Sequence, residues 1–479
     1  MRAFYPRLMI AGTSGDSGKT AVTVGLAGAW SRRGRSVAAF KKGPDYIDAA
    51  WLSAASGKAA RNLDTFLAAP ETIKRSFVHH AIPDGINIIE GNRGLHDGFD
   101  AEGTHSSAAL SKLIKCPVVL VQDVTKMTRS AAAVVLGTRM LDPEVELAGV
   151  ILNKIAGPRH EKTVRAAIAK YCGIPVFGAL PKLPAEAKIL SRHLGLITPR
   201  EERRRNELVE RLAEVIENCV DLDRVLAVAQ SAPDIAGAGP AEPLFEPDAH
   251  RARVRVCYLS DAAFSFYYPE NLEALTAAGA ELVPVSALEA RELPECHALY
   301  VGGGFPESHA TALADNRLFR ESLFRAASSG LPIYAECGGL IYLAENLSIE
   351  GTDYPMTGVF PLRIGMNIKP QGHGYVRIRV DDENPFFHHG TEIQGHEFHY
   401  SYPLDLAPYD DGFANRGTGT EDLDAVRTVF EVKRGVGCGG GRDGLLRWNV
   451  LGTYTHIHAL GCPAWASGLV GAADRNRKE

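Results

Sequence analysis

Gly12-Thr13-Ser14-Gly15-Asp16-Ser17-Gly18-Lys19-Thr20 follows the apolar run Leu8–Ala11 and precedes the apolar-striped stretch Ala21–Ser31. The order is strand, glycine-rich turn, helix. Glycines let backbone N–H groups converge on one centre, and a helix N-terminus adds partial positive charge, so the segment suits a polyphosphate. Lys19 is placed to reach the β- and γ-phosphates, and the Thr20 hydroxyl to ligate Mg²⁺. The spacing departs from the standard phosphate loop. Gly12 lies one residue further from Gly18-Lys19 than usual, and Thr13 occupies the standard glycine position. Thr13, Gly15, Asp16, Ser17, Gly18, Lys19 and Thr20 are the candidate ATP-binding residues. Gly34 stands where a helix C-terminal cap is expected.

Further short buried strands are expected at Val37–Phe40, Ile86–Ile89, Val118–Val121, Val150–Leu152 and Val176–Leu180, separated by amphipathic stretches. This alternation implies βαβ units around a parallel sheet, an α/β fold. Ligands bind outside the carboxyl ends of such strands. Two more segments lie there. Lys41-Lys42-Gly43-Pro44-Asp45-Tyr46-Ile47-Asp48 brings two Lys, two Asp and a Tyr to the same crevice as the phosphate loop. Glu90-Gly91-Asn92-Arg93-Gly94-Leu95-His96-Asp97-Gly98 contributes Glu90 as a Mg²⁺ ligand, with Asp97 a secondary candidate. Asp123 reads either as a site residue or as a helix N-cap.

Residues 201–229 read as one charged helix closing an ATP-dependent domain over 1–229. Residues 230–250, rich in Ala, Gly, Pro and acidic residues, read as a linker. A second α/β series begins with Val254–Leu259, Leu282–Val285, Ala298–Val301 and Ile333–Ala335 and defines a domain over 251–470. Its later part, Tyr375–Val380, Glu397–Tyr402, Thr428–Lys433 and Val450–His458, alternates in two-residue periods, so strands dominate.

Pro332-Ile-Tyr-Ala-Glu336-Cys337-Gly338-Gly339-Leu340 ends an apolar strand abruptly at a cysteine, followed by glycines and a helical pattern. This is the layout of a nucleophile elbow with a thiol in place of a hydroxyl. A helix N-terminus here is expected to lower the thiol's pKa. Gly338 can offer its N–H to an oxyanion. Gly303 and Gly304, in Gly302–Glu307, can add further N–H groups and a wall for the substrate. A thiol nucleophile needs a base. Alternation in Thr453–His458 puts His456 and His458 on one face: one to move protons, the other to orient or fill space. A metal site is the competing reading of the pair.

With 479 residues, the chain is long enough for two or three domains. A net charge of −5 without a polybasic run argues against nucleic-acid binding. No signal-peptide pattern and no apolar run of membrane-spanning length occurs, so a cytoplasmic protein without membrane association is expected. Eight cysteines without CxxC pairs fit reduced, mostly buried thiols.

Gly12–Thr20, Lys42–Asp48, Arg61–Asp64, Glu90–Gly98, Gly302–Glu307, Glu336–Gly339, Gly395–His399 and His456–His458 occur in the order found in the cobyrinic acid a,c-diamide synthase family, which the chain resembles over nearly its whole length. The resemblance implies an N-terminal P-loop amidoligase domain similar to dethiobiotin synthetase and a C-terminal class I glutamine amidotransferase domain. In that domain Cys337 is the nucleophile and His456 its partner, without the usual third acidic member. It implies ATP with Mg²⁺, glutamine and a tetrapyrrole as small-molecule partners, with Lys19, Thr20, Lys42 and Glu90 serving ATP and Mg²⁺ and Asp45, Tyr46 and Asp48 near the tetrapyrrole carboxylate. Ammonia transfer within one chain, or between chains of a homodimer, both fit.

One departure stands out. Family members usually carry Val-Met after the Glu-Gly of the third segment, where this chain has Asn92-Arg93. That version resembles the branch encoded with dissimilatory sulfite reductases, thought to amidate acetate side chains of sirohaem. Arg93 would then pair with an extra substrate carboxylate. Cobyrinate is the alternative macrocycle and nickel-sirohydrochlorin a third. Outside this class, a non-catalytic nucleotide switch or a synthetase of another small carboxylate are the competing functions.

Overall fold

The computed structural model describes residues 4–184, 187, 189, 191–192, 195–235, 243–247, 253–404 and 425–478. The chain divides into two compact units, Met1–Leu244 and Phe245–Glu479. Much of the expected linker lies outside the described residues.

The first unit is built on strands β1 (Arg7–Gly12), β2 (Val37–Lys42), β3 (Arg61–Leu63), β4 (Ile86–Gly94), β5 (Val118–Asp123), β6 (Leu147–Ile155) and β7 (Val176–Pro181). They form one sheet in the order β3-β2-β4-β1-β5-β6-β7, every adjacent pair parallel. Leu8, Met9, Ile10 and Ala11 are wholly buried, as expected of a central strand covered by helices on both faces. Helix α1 (Lys19–Arg32) follows β1 and packs on the helix Arg205–Cys219, where Gly25 and Gly28 let the two backbones approach.

The single charged helix expected over 201–229 is two helices, Arg205–Cys219 and Leu222–Gln230. Val220 turns extended and bridges to Gly178, and the Asp221 side chain caps the second helix by accepting the Arg224 N–H at 3.1 Å. A tertiary strand contact and a new N-cap outweigh continued helix.

The second unit holds a ten-stranded sheet. Five strands, Ala280–Val285, Val254–Leu259, Ala298–Val301, Ile333–Glu336 and Val450–Thr453, lie parallel in that spatial order. The sheet continues antiparallel through Arg442–Arg447, Arg427–Arg434, Gly372–Val380, Glu392–His399 and His456–Ile457. Two expected strands are interrupted: Glu397–Tyr402 is split between Glu392–His399 and Ser401–Pro403, and Val450–His458 breaks after Thr453. The helix after Cys337 is one short segment, Gly338–Leu343, and the chain then enters a smaller four-stranded sheet at Ala344–Ile349. No helix among the described residues is long and apolar enough to cross a membrane. All eight cysteines are free thiols.

Candidate active site

The phosphate-loop segment sits at the carboxyl end of β1, and its glycines have steric causes. Gly18 has φ +97°, and a Cβ there would stand 2.1 Å from the Asn153 side chain. Asn153 in turn donates from Nδ2 to the Ser17 carbonyl at 2.9 Å, fixing the loop to β6. Ser17 is buried, while Gly15 and Asp16 are exposed and Thr13 is half-buried. The Lys19 ammonium folds back to donate to the Ser14 carbonyl at 2.9 Å. Burial, then Lys41, lowers its pKa.

Next to this loop lies a buried charge cluster. Thr20 Oγ1 donates to Glu90 Oε1 at 2.7 Å. Lys41 Nζ donates to the same oxygen at 2.9 Å, to Asp48 Oδ2 at 2.5 Å and to the Gly91 carbonyl at 3.1 Å. Glu90 is wholly buried, and its Oε2 has no hydrogen-bond partner among the described residues. Burial pushes the Glu90 carboxyl up to about 7, with Lys41 opposing and Asp48 adding. Burial also works against the Lys41 charge, but Asp48, Glu90 and Asp45 outweigh it and hold the ammonium above its ordinary range. An orphaned buried carboxylate oxygen beside a threonine hydroxyl is a hard-oxygen donor pair suited to Mg²⁺ bound together with phosphates.

The other expected residues of this unit divide by what already occupies them. Lys42 is buried, with its Nζ 3.8 Å from Asp64 Oδ2. Asp45 caps the helix Tyr46–Ser56 by accepting the Asp48 N–H at 2.8 Å, and burial pushes its carboxyl up to about 6. Asp97 accepts the Gly94 N–H at 2.8 Å and so closes a surface turn. Arg93 is exposed with φ +49°, beside Asn92, whose side chain packs under Gly43. Asp123 caps no helix. It accepts from Thr125 N at 2.8 Å and pairs with Lys154 at 2.6 Å, well before the helix Ser130–Leu141.

The thiol segment of the second unit folds as an elbow. Cys337 has φ +47° and ψ −97°, a conformation that costs a non-glycine residue on the order of 1–3 kcal/mol and persists only where the surroundings hold it. Two bonds hold it here: its N–H donates to the Thr453 carbonyl at 2.7 Å, and its carbonyl accepts from Ile341 N at 3.0 Å. Gly303 and Gly304 form a short strand paired with Phe264–Phe266. A Cβ on Gly338 would meet Gly304 N at 2.9 Å, and one on Gly303 would meet the His456 ring at 2.5 Å. Cys337, Gly338, Gly303, Gly304 and His456 therefore surround one spot.

The expected lowering of the thiol's pKa is reversed. Burial holds the Cys337 thiol above its ordinary range, Glu307, Glu336 and Glu397 add to this, and only the Gly338 N–H pulls down. A six-residue helix offers a weak dipole against burial and three carboxylates.

The two histidines part company. His456 Nδ1 lies 3.4 Å from Glu336 Oε2, whereas His458 stacks near Tyr268 at 4.5 Å between ring centres and faces Glu270 at 3.8 Å. Among the described residues no group of three His, Cys, Asp or Glu side chains is placed to hold a metal, so the metal reading of the pair finds no support.

Residues 8–197 match the family model of the CobQ/CobB/MinD/ParA nucleotide binding domain, and 255–463 that of the CobB/CobQ-like glutamine amidotransferase domain. The cobyrinate a,c-diamide synthase of Magnetococcus marinus is 43% identical over 97% of this chain and 96% of its own length. Proteins of the same name from Archaeoglobus fulgidus and Listeria innocua are 40% and 38% identical, over 95% and 98% of this chain and 94% and 100% of their own. The chain belongs to the cobyrinate a,c-diamide synthase family. It is a glutamine amidotransferase ligase with a nucleotide-binding domain.

Three residues that organise the site were not singled out by the sequence. Lys41 is the cation inside the Glu90–Asp48 cluster, where reading favoured its neighbour Lys42. The place of Lys41, one residue inside the end of an apolar strand, was the available signal. Glu336 precedes the thiol at the elbow, where the family resemblance implies no acidic third member beside the Cys–His pair. The structure places a buried carboxylate there. Asp443 is wholly buried and accepts hydrogen bonds from the hydroxyls of Thr453 and Thr455 at 2.6 and 2.8 Å. It also accepts from the N–H groups of Gly444, Tyr454 and Thr455 at 2.8, 3.1 and 3.2 Å. It sits in a glycine-rich stretch that gives no sequence signal.

Proposed function

We propose that this chain converts the a and c acetate carboxylates of a modified tetrapyrrole, sirohaem, to amides, using ATP, and glutamine as the nitrogen donor. The observation that carries the reading is the presence in one chain of a phosphate loop joined to a buried carboxylate–lysine cluster and of a strained thiol elbow packed on a glycine pair that abuts a histidine ring. A ligase of this class needs both: one site to activate a carboxylate, the other to release ammonia.

In the first unit the loop N–H groups and Lys19 bind the ATP phosphates, with Thr13, Gly15, Asp16, Ser17 and Gly18 shaping the cradle. Thr20 and Glu90 would hold Mg²⁺, which supplies neutralisation of phosphate charge when bound. Lys42 lies at the same strand end as Lys41. Asp45, Tyr46, Asp48, Arg93 and Asp97 orient the acceptor. A substrate carboxylate oxygen attacks the γ-phosphorus, ADP leaves, and the acyl phosphate forms. Ammonia then attacks the acyl carbon and phosphate departs.

In the second unit the Cys337 sulfur attacks the side-chain amide carbon of glutamine while its proton passes to His456. The oxyanion faces the N–H groups of Gly304 and Gly338, with Gly303 against the His456 ring. The C–N bond breaks as the proton moves from His456 to the departing nitrogen. Water then hydrolyses the thioester to glutamate. A thiol kept protonated by burial is consistent with a proton transfer that starts only once glutamine is seated.

Asn92-Arg93 supports sirohaem: an exposed cation in a left-handed conformation at the rim of the cluster suits an additional acceptor carboxylate. Cobyrinate is the second reading, favoured by the names of the relatives. The same amidation can be written for either macrocycle, so product masses separate the two. Incubation with ATP, Mg²⁺ and glutamine should convert sirohaem to a diamide, with two hydroxyl-to-amino exchanges. Amidation of cobyrinate with sirohaem untouched would decide for the second reading.

A further inference from the structure

Glu336 ends the apolar strand Ile333–Glu336, immediately before the thiol, and its side chain is wholly buried. A buried carboxylate is costly unless paired, and its partners here are specific. Oε2 accepts from Tyr300 Oη at 3.2 Å and lies 3.4 Å from His456 Nδ1, while Oε1 accepts the Ile457 N–H at 3.3 Å. Tyr300 lies on the neighbouring parallel strand and is itself fully buried. The carboxylate is thus clamped from two sides with one oxygen turned to the imidazole.

The other edge of the ring faces the glycines. A Cβ on Gly303 would stand 2.5 Å from His456 Cε1 and 3.4 Å from Nε2. Gly304 N is the atom against which Gly338, next to the thiol, packs. Nδ1 therefore faces Glu336, and Nε2 lies on the Gly303 side, with the elbow. His396 stacks on the flat face of the ring at 4.9 Å and blocks rotation from that side. His458, two residues on, is turned to Tyr268 and Glu270.

We propose that Glu336 is the positioning residue for His456. By accepting a hydrogen bond from Nδ1–H it keeps the neutral ring in the tautomer whose Nε2 lone pair takes the Cys337 proton. It also stabilises the imidazolium that exists between that transfer and protonation of the departing ammonia. The acidic member that the Cys–His pair lacks further along the chain is supplied by the residue preceding the nucleophile. The inference rests on the Cys337–His456 glutaminase reading given above.

The test compares Glu336→Gln, Glu336→Asp and Cys337→Ala, each with glutamine and with ammonium as nitrogen source. Gln keeps the size of Glu, but its amide N–H can donate to Nδ1 and impose the opposite tautomer. Glu336→Gln should lower kcat with glutamine by roughly 100-fold or more. KM for glutamine should stay within about threefold and ammonium-dependent turnover should be unchanged, a split that a folding defect does not give. Glu336→Asp, which retains the charge, should recover about tenfold of the loss. The inference is overturned if Glu336→Gln keeps glutamine kcat within about threefold of wild type, or if both Glu336 variants lose glutamine binding and unfold early to the same degree. Should Cys337→Ala still use glutamine, the underlying nucleophile reading falls as well. Should it fail while Glu336→Gln works, only the role of Glu336 falls.

Discussion

Replacing Asp443 by alanine tests whether the turn carrying His456 is held from beneath by one buried carboxylate. Asp443 takes two hydroxyl and three backbone N–H hydrogen bonds, and four of those five donors belong to Thr453–Thr455. In the variant the two hydroxyls can turn to other acceptors, and Thr455 N keeps the Thr453 hydroxyl at 3.0 Å. The Tyr454 and Gly444 N–H groups lose their acceptor outright. Leaving these two buried N–H groups unpaired costs about 1–3 kcal/mol each, and with the weakened Thr455 N–H the sum is about 3–5 kcal/mol. For a unit of this size the midpoint of its thermal unfolding should fall by roughly 10 °C. Function should follow geometry. Thr453 O holds the Cys337 N–H, and His456 leaves the same turn, so glutamine-dependent amidation should drop at least tenfold at a temperature where the variant is still folded. Ammonium-dependent amidation should persist. The assays are calorimetry and paired turnover measurements with the two nitrogen sources. An Asp443→Ala variant that unfolds within about 2 °C of wild type and uses glutamine at the wild-type rate would refute the reasoning.

Two further outcomes follow from the first unit. Gly18→Ala forces a Cβ onto the Asn153 side chain at a φ of +97°, adding left-handed strain to a displaced hydrogen bond. A total of about 2–3 kcal/mol should appear as a 30-fold or greater rise in KM for ATP, read from ATP-dependent turnover with ammonium as donor. Lys41→Met leaves Glu90 and Asp48 buried without their cation, which costs about 3–5 kcal/mol. Limited proteolysis should cut residues 1–244 faster while the second unit resists as before, and amidation should be lost with either nitrogen donor.

The parts of the fold legible in the sequence are those set by continuous apolar runs. Leu8–Ala11, Ile86–Ile89 and Val118–Val121 sit in strands covered on both faces, and such strands leave an unmistakable mark. The three-residue strand Arg61–Leu63 leaves none, being too short for a period to show. The break between the helices at Val220 and the break after Thr453 depend on partners on other strands, Gly178 in one case and Asp443 in the other. The same divide runs through the site. Lys19, Thr20, Glu90 and Cys337 stand in glycine-bearing segments that follow apolar runs and could be picked out locally, and His456 by its alternation with His458. Glu336 and Asp443 act only through residues brought next to them by folding, and Lys41 differs from Lys42 only in which side of the strand end it faces. The raised thiol pKa is hidden from the sequence for a related reason: a helix N-terminus is visible there, but the surrounding burial and carboxylates are not.

The most direct measurement follows nitrogen from glutamine to product. Wild-type enzyme given ATP, Mg²⁺, the tetrapyrrole and glutamine labelled with ¹⁵N in its side-chain amide should yield a labelled diamide. Cys337→Ala should incorporate no label from glutamine, yet give the same diamide when ammonium is supplied. Labelled product from Cys337→Ala at the wild-type rate would contradict the account.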